Sequence, residues 1–216
     1  MFKERVEGLP MTREEKWEKD ENAIRKLLKE HDGVVRTSEL YTLGIDYRRI
    51  QQFVDWGLLL RVKNGYYSLQ EQKLSEDEMI CRLFGADCVL TMESALYIYG
   101  YLPVKPAEYQ LAVDKNTSKS RFHLKYPFVH PYYSEPKVLE LGVAEVAFGG
   151  GTIKIYDKER LLCDCLKYED HMDREDLKKA LRAYLSEPSK NLSKLLSYAK
   201  ERKVLNKVQN RIGVWL

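Results

Sequence analysis

Apolar and polar positions along residues 47–57 follow a helical period. At ~100° per residue, Tyr47, Ile50, Phe53, Val54 and Gly57 gather on one side of a helix, and Arg48, Gln51, Gln52 and Asp55 on the other. Asp46 stands where an N-cap is wanted and Gly57 where a left-handed residue ends the last turn, so the predicted helix is short and sharply bounded. The period then drops to two. Asn64-Gly65 suits a two-residue type I′ turn, which sets Leu60 opposite Leu69 and Val62 opposite Tyr67 on an apolar face. Arg61, Lys63, Tyr66 and Ser68 are then expected on the polar face. Upstream, 33–35 reads as a brief strand and Thr37 as the cap of a short helix running to Leu43, which Gly44 ends.

Before these elements, Thr12 and Glu15 form a capping box ahead of a stripe of Trp17, Ile24, Leu27 and Leu28. The predicted order of helix, strand, helix, glycine turn, helix and ribbon is a winged helix-turn-helix over 12–70, following a flexible tail over 1–11. Ser75 and Glu78 make a second capping box for a helix closed by Gly85, and Thr91 begins another carrying Ala95, Leu96 and Ile98, so 71–108 is read as linking helices. From Tyr109 the period changes again: YQLAV, FHLKYPFV and VAEVAF read as strands, and GGG turns into the strand TIKIY. A helix over 158–168 capped by Asp157 follows, then two or three more within 173–212. Strands followed by helices predict an α+β C-terminal domain over 109–216 rather than a doubly wound sheet.

A second helix that carries Arg and Gln behind a tight glycine turn is the arrangement that places side chains in a DNA major groove. Arg bonds bidentately to guanine and Gln to adenine. The candidate DNA contacts are therefore Tyr47, Arg48, Arg49, Gln51 and Gln52 on the helix, with Arg61, Lys63 and Asn64 on the ribbon. A plain solvated outer face is the competing reading for these residues. The net charge of +3 excludes an indiscriminate nucleic-acid coater.

Four cysteines without a CxxC pair and four histidines without finger spacing predict no metal site and no cofactor. The absence of a leader or an eighteen-residue apolar run predicts a cytoplasmic protein with reduced thiols and no membrane partner. GGGTIK lacks the Gly-Lys-Ser/Thr ending of a phosphate loop and leads into a strand, so it reads as a hairpin turn. Asp114, Glu135 and Lys137 loosely match a nuclease carboxylate-and-lysine set, which Pro136 interrupts. The tyrosine-rich cluster of Tyr97, Tyr99, Tyr101, Tyr126, Phe128, Tyr132 and Tyr133 is read as packing rather than base stacking.

GVVRTSELYTLGIDYRRIQQFVDWGLLLRVKNGYYSL resembles the N-terminal winged-helix segment of the AbiE-type antitoxin family, transcriptional regulators of type IV toxin–antitoxin and phage-defence operons. TMESALYIYGYL and GTIKIYDKERLLCDCLKY are similar to that family's middle and C-terminal parts. The resemblance implies a non-enzymatic protein whose N-terminal domain binds operator DNA with inverted repeats and represses its own operon. It also implies a C-terminal domain that neutralises a nucleotidyltransferase toxin, for which Lys178, Lys179 and Arg182 are the candidate surface. The wing tip Lys-Asn-Gly-Tyr departs from the Arg-Gly that many relatives carry ahead of the aromatic residue. Two alternatives stand beside this reading: a nucleic-acid enzyme such as a metal-dependent nuclease delivered by its winged helix, and a winged helix used only to dock proteins.

Overall fold

The computed structural model describes residues 11–213, and the expected N-terminal tail lies outside them except for Met11. The described residues form ten α-helices and two sheets, an α+β architecture. The chain divides into two compact units, one ending at Lys73 and the other beginning at Leu74. No helix among the described residues is long and apolar enough to cross a membrane.

The first unit contains α1 (Arg13–Glu30), β1 (Val35–Arg36), α2 (Thr37–Thr42), α3 (Tyr47–Asp55), β2 (Leu59–Lys63) and β3 (Tyr66–Leu69). The expected capping box opens α1: the Thr12 amide donates to the Glu15 carboxylate at 2.9 Å and the Glu15 amide to Thr12 Oγ1 at 3.2 Å. Ile24 and Leu28 from α1, Val35, Leu40, Ile45, Ile50, Phe53, Leu59 and Tyr67 make one buried core. The three strands pair antiparallel in the order β1-β3-β2. Thr37 is the first helical residue of α2 and not its cap. The cap is Arg36, whose amide donates to the Glu39 carboxylate at 2.6 Å.

The ribbon register differs from the expectation by one residue. Leu59 pairs with Leu69, Leu60 with Ser68 and Arg61 with Tyr67, while Lys63 pairs with Tyr66 across an irregularity between Arg61 and Lys63. A type I′ turn needs positive φ at both central residues; here Gly65 has φ +79° and Asn64 is not in the left-handed region. The extra residue in β2 shifts everything beyond it, and a one-residue shift exchanges the faces. Leu59 is consequently buried and Leu60 is 42% exposed, the reverse of the expectation for these two, while Tyr67 is buried as expected.

The second unit contains α4 (Glu76–Phe84), β4 (Val89–Leu90), α5 (Met92–Ile98), β5 (Glu108–Asp114), β6 (Phe128–Ser134), α6 (Pro136–Leu139), β7 (Val143–Phe148), β8 (Gly151–Tyr156), α7 (Lys158–Lys167), α8 (Arg174–Ser186), α9 (Leu192–Glu201) and α10 (Leu205–Ile212). Its five-stranded sheet has the order β6-β5-β4-β8-β7, with β5/β6 and β4/β8 parallel and the other two pairs antiparallel. The stretch 71–108, expected to link two domains, is instead largely built into this unit. Its two-residue β4 is the central strand, too short to give a periodic signal in the sequence. FHLKYPFV is not one strand either: a 3-10 turn over Lys119–Phe122 precedes the proline, and β6 starts after it. The expected glycine turn joins β7 to β8, with Gly149 and Gly150 at φ +55° and +72°. A Cβ on Gly149 would lie 2.3 Å from the Asp77 carbonyl oxygen, so that position tolerates only glycine.

Helix α7 is the centre of the second unit, because every residue from Glu159 to Leu166 is buried. Burying its charged residues requires partners for each. Tyr184 Oη and the Asn191 amide donate to Glu159 at 3.1 and 3.0 Å. Arg160 Nε donates to both Asp164 oxygens at 3.2 Å, and its Nη1 donates to the Val138 and Leu141 carbonyls at 2.6 Å each. Arg202, arriving after α9, donates through Nε to the same Asp164 at 2.6 Å. Removing that carboxylate strands two guanidinium groups away from water. Asp164→Ala is expected to destabilise the second unit by about 3–5 kcal/mol, the usual cost of orphaning a buried ion-pair partner. Denaturant unfolding measures it, and a loss below about 1 kcal/mol would show that Arg160 and Arg202 reach water.

Candidate nucleic-acid interface

Helix α3 is held at both ends by backbone geometry that the sequence specifies locally. The Asp46 carboxylate accepts the Arg49 amide at 2.8 Å, and Gly44 before the helix and Gly57 after it both have φ +75°. Ile45, 2% exposed, plugs the turn between α2 and α3 into the core. With Ile50 and Phe53 buried, the orientation of the remaining α3 side chains follows.

These side chains separate into three sets. Arg48 is exposed, and Tyr47 is 51% exposed instead of lying on the core face. Arg49 turns back toward α1: its Nε meets Asp20 at 3.2 Å, and its guanidinium lies over the Trp17 and Phe53 rings at 4.8 and 5.0 Å from their centroids. Gln52 accepts from Arg49 Nη1 at 3.2 Å, so it shares that internal arrangement. Gln51 is half-buried, and its amide nitrogen is enclosed without a hydrogen-bond partner. It has an unmet donor but would have to swing outward to present it.

On the ribbon, the shifted register separates the two cations that the simple hairpin placed together. Arg61 is opposite Tyr67 and Lys63 opposite Tyr66, and consecutive residues of β3 face opposite sides. Arg61 Nη2 donates to Asn64 Oδ1 at 2.6 Å across the tip. Lys63 belongs instead to a row that crosses all three strands. Its ammonium lies 4.4 Å from the centroid of Tyr66, and Arg36, paired with Tyr66 on the other side, has its guanidinium 5.6 Å from the same ring. Arg36 is exposed and was absent from the expected contact set. Its place became visible only with the pairing of β1 to β3, and the two residues of β1 carry no periodic signal. The tip is tied to α2 by the Thr37 amide, which donates to the Gly65 carbonyl at 2.9 Å.

The remaining candidates lie in the second unit. Lys178 pairs with Glu175 at 2.6 Å and Lys179 with Asp176 at 2.8 Å on the exposed face of α8, and Arg182 is exposed farther along. The Asp176 carboxylate holds the Lys179 ammonium above its ordinary value. This face is therefore locally charge-matched. Asp114 accepts the Asn116 amide at 2.7 Å, and Glu135 pairs with Lys115 at 2.8 Å. Among the described residues no three His, Cys, Asp or Glu side chains gather as metal ligands would. Cys163 is a buried thiol, and burial first of all pushes it up to about 12. The tyrosine-rich cluster is split: Tyr101 is buried and donates to Glu187 at 2.7 Å, whereas Tyr126 and Phe128 are each 55% exposed.

No family model and no curated protein matches the sequence. Among solved structures, the chain is similar to the crystal structure of the RV2827C protein from Mycobacterium tuberculosis, with a TM-score of 0.51 and 15% identity, over 87% of this chain and 78% of that one. At that identity the likeness concerns the fold alone.

The contrast between neighbouring arginines is measurable without any ligand. Arg49→Ala is expected to destabilise the first unit by roughly 1–3 kcal/mol through the lost Asp20 bond and aromatic contacts, and Arg48→Ala by less than about 0.5 kcal/mol. Equal losses in thermal or denaturant unfolding would contradict the division of α3 into a tied and an outward-facing arginine.

Proposed function

We propose that this chain is a DNA-binding transcriptional repressor whose first unit works as a winged helix-turn-helix, and that it belongs with the AbiE-type antitoxins. In this reading it is not an enzyme and needs no cofactor. The observation that carries the DNA-binding part is the outward presentation of Arg48 and Tyr47 on α3 together with the Arg36–Tyr66–Lys63 row on the three-stranded sheet. A helix reading bases and a basic sheet holding the flanking phosphates is the division of labour such a unit uses. Arg48 is then the base reader, and Arg36 and Lys63 are phosphate anchors. Arg49 and Gln52 act indirectly, by fixing the angle of α3 against α1. Operator DNA with inverted repeats would be the partner, since a helix-turn-helix reads half-sites in pairs.

The antitoxin part rests on the resemblance of TMESALYIYGYL and GTIKIYDKERLLCDCLKY to the family, and these segments supply α5 and α7. Lys178, Lys179 and Arg182 remain the proposed toxin-facing residues. Their local pairing with Glu175 and Asp176 makes Arg182 the strongest of the three for meeting an acidic surface. The nuclease alternative predicts cleavage of nucleic acid by the purified chain with magnesium, and the repressor reading predicts none.

DNA titrations across a salt series test the first part. Arg48→Ala should cost about 1–3 kcal/mol on operator DNA and much less on random DNA. Neutralising Arg36 and Lys63 together should weaken both and flatten the salt slope by roughly 2 units, at ~0.9 per lost phosphate contact. Equal losses on both DNAs for Arg48→Ala, or an unchanged slope for the pair, would reverse these roles. For the second part, co-expression with a nucleotidyltransferase encoded next to this chain should spare growth, and Arg182→Glu should reduce that protection while leaving operator binding intact.

A further inference from the structure

A cleft in the second unit has no part in the DNA-binding reading. It has a volume of about 290 Å³, at the lower end of the ~300–1,000 Å³ typical of small-molecule sites. Its walls come from four places: Lys115 after β5, Tyr133 and Ser134 at the end of β6, Lys167 and Tyr168 at the end of α7, and Glu201, Arg202 and Lys203 at the end of α9. Glu135 and Val138 complete it.

The hydrogen-bonding capacity of these walls is one-sided. Arg202 is 4% exposed, and its Nη2 has no partner; the Tyr133 hydroxyl also has none, and both atoms are closed off from solvent, so each reaches the cleft only by a turn of its side chain. Burying a donor without a partner is costly, so both ask for an acceptor. Charge points the same way. The buried Asp164 is shared by Arg160 and Arg202, so the guanidinium groups exceed their carboxylate by one behind the cleft. Lys167 and Lys203 add two ammonium groups in front, and of the two carboxylates at the rim Glu135 is already paired with Lys115. Desolvation, followed by repulsion from Arg202, Arg160 and Lys203, holds the Lys167 ammonium below its ordinary value.

A competing account is that cations at the ends of α7 and α9 merely complement the helix dipoles. Dipole complementation explains neither the unmet donors nor the backbone at Lys203. That residue follows the C-cap of α9 with φ +59°, and the Val204 amide reaches back to the Ala199 carbonyl at 2.8 Å. This is the position where helices ordinarily place glycine. A lysine there accepts backbone strain in exchange for its side chain, and strain retained at a particular residue is a mark of use.

We infer that this cleft binds a phosphate group, held by the ammonium groups of Lys203 and Lys167, with Arg202 Nη2 and the Tyr133 hydroxyl turning into the cleft to meet it. The planar guanidinium supplies directed donors and the lysines supply diffuse positive charge, the usual combination for a phosphate oxyanion. The group can come from free phosphate, a nucleoside monophosphate or an internal phosphodiester, and the three are distinguished by the test.

The full chain is titrated calorimetrically with inorganic phosphate, adenosine 5′-monophosphate and a dinucleoside monophosphate at constant ionic strength. At least one should bind saturably with a dissociation constant near or below about 1 mM. Lys203→Gly is the informative variant: it should raise the thermal midpoint by relieving strain and yet weaken binding about tenfold. Tyr133→Phe should weaken binding several-fold with the fold intact, and Arg48→Ala in the first unit should leave it unchanged. Binding of phosphate or the monophosphate identifies a terminal phosphate, and binding of the dinucleoside alone identifies a nucleic-acid backbone. The inference is overturned if none of the three saturates below about 10 mM. It is equally overturned if Lys203→Gly and Tyr133→Phe bind as tightly as the parent, or if Arg48→Ala abolishes binding.

Discussion

One carboxylate, that of Asp164, shared by the guanidinium groups of Arg160 and Arg202, sets the terms for the second unit. A helix as thoroughly buried as α7 can carry charge only where every charge is answered, and the answers come from distant parts of the chain. Arg160 draws in the carbonyls of Val138 and Leu141, fixing the passage from α6 to β7. Arg202 fixes the end of α9. With two cations to one anion, the network leaves positive charge at the end of α7, where the phosphate cleft opens. The geometry that holds this unit together is therefore also what makes one of its surfaces selective for anions.

In the first unit the corresponding arrangement is lighter. Arg49 is paired with Asp20 and stacked on Trp17 and Phe53, which fixes α3 against α1 and leaves the adjacent Arg48 outside. A single helical step of about 100° separates the arginine tied to α1 from the one left exposed. The proposed interface depends on that step, because a base-reading side chain is useful only when the helix beneath it cannot rotate.

Much of this was legible in the sequence, and for local reasons. Capping boxes at Thr12 and Ser75, the Asp46 and Asp157 caps, and the glycines after α2 and α3 act through hydrogen bonds and φ angles within a few residues. The apolar stripe of α1 and the strands VAEVAF and TIKIY are likewise written in their periods. Patterns of this kind need no knowledge of what lies across the fold.

What the sequence could not specify was every feature set by a partner far along the chain. β4 is two residues long and becomes the central strand only because β5 and β8 flank it. The hairpin register looked determined by Asn64-Gly65, yet an extra residue in β2 moved it so that Leu59 could enter the core. Arg48 and Arg49 are identical in type, and only the approach of Asp20 and Trp17 separates them. Arg36, Tyr66 and Lys63 are scattered in sequence and adjoin through strand pairing. The sequence by itself determined the elements and their ends, which depend on neighbours within a turn or two. The tertiary structure alone decided which charges are buried, paired or presented, because burial and pairing belong to residues that meet only when the chain has folded.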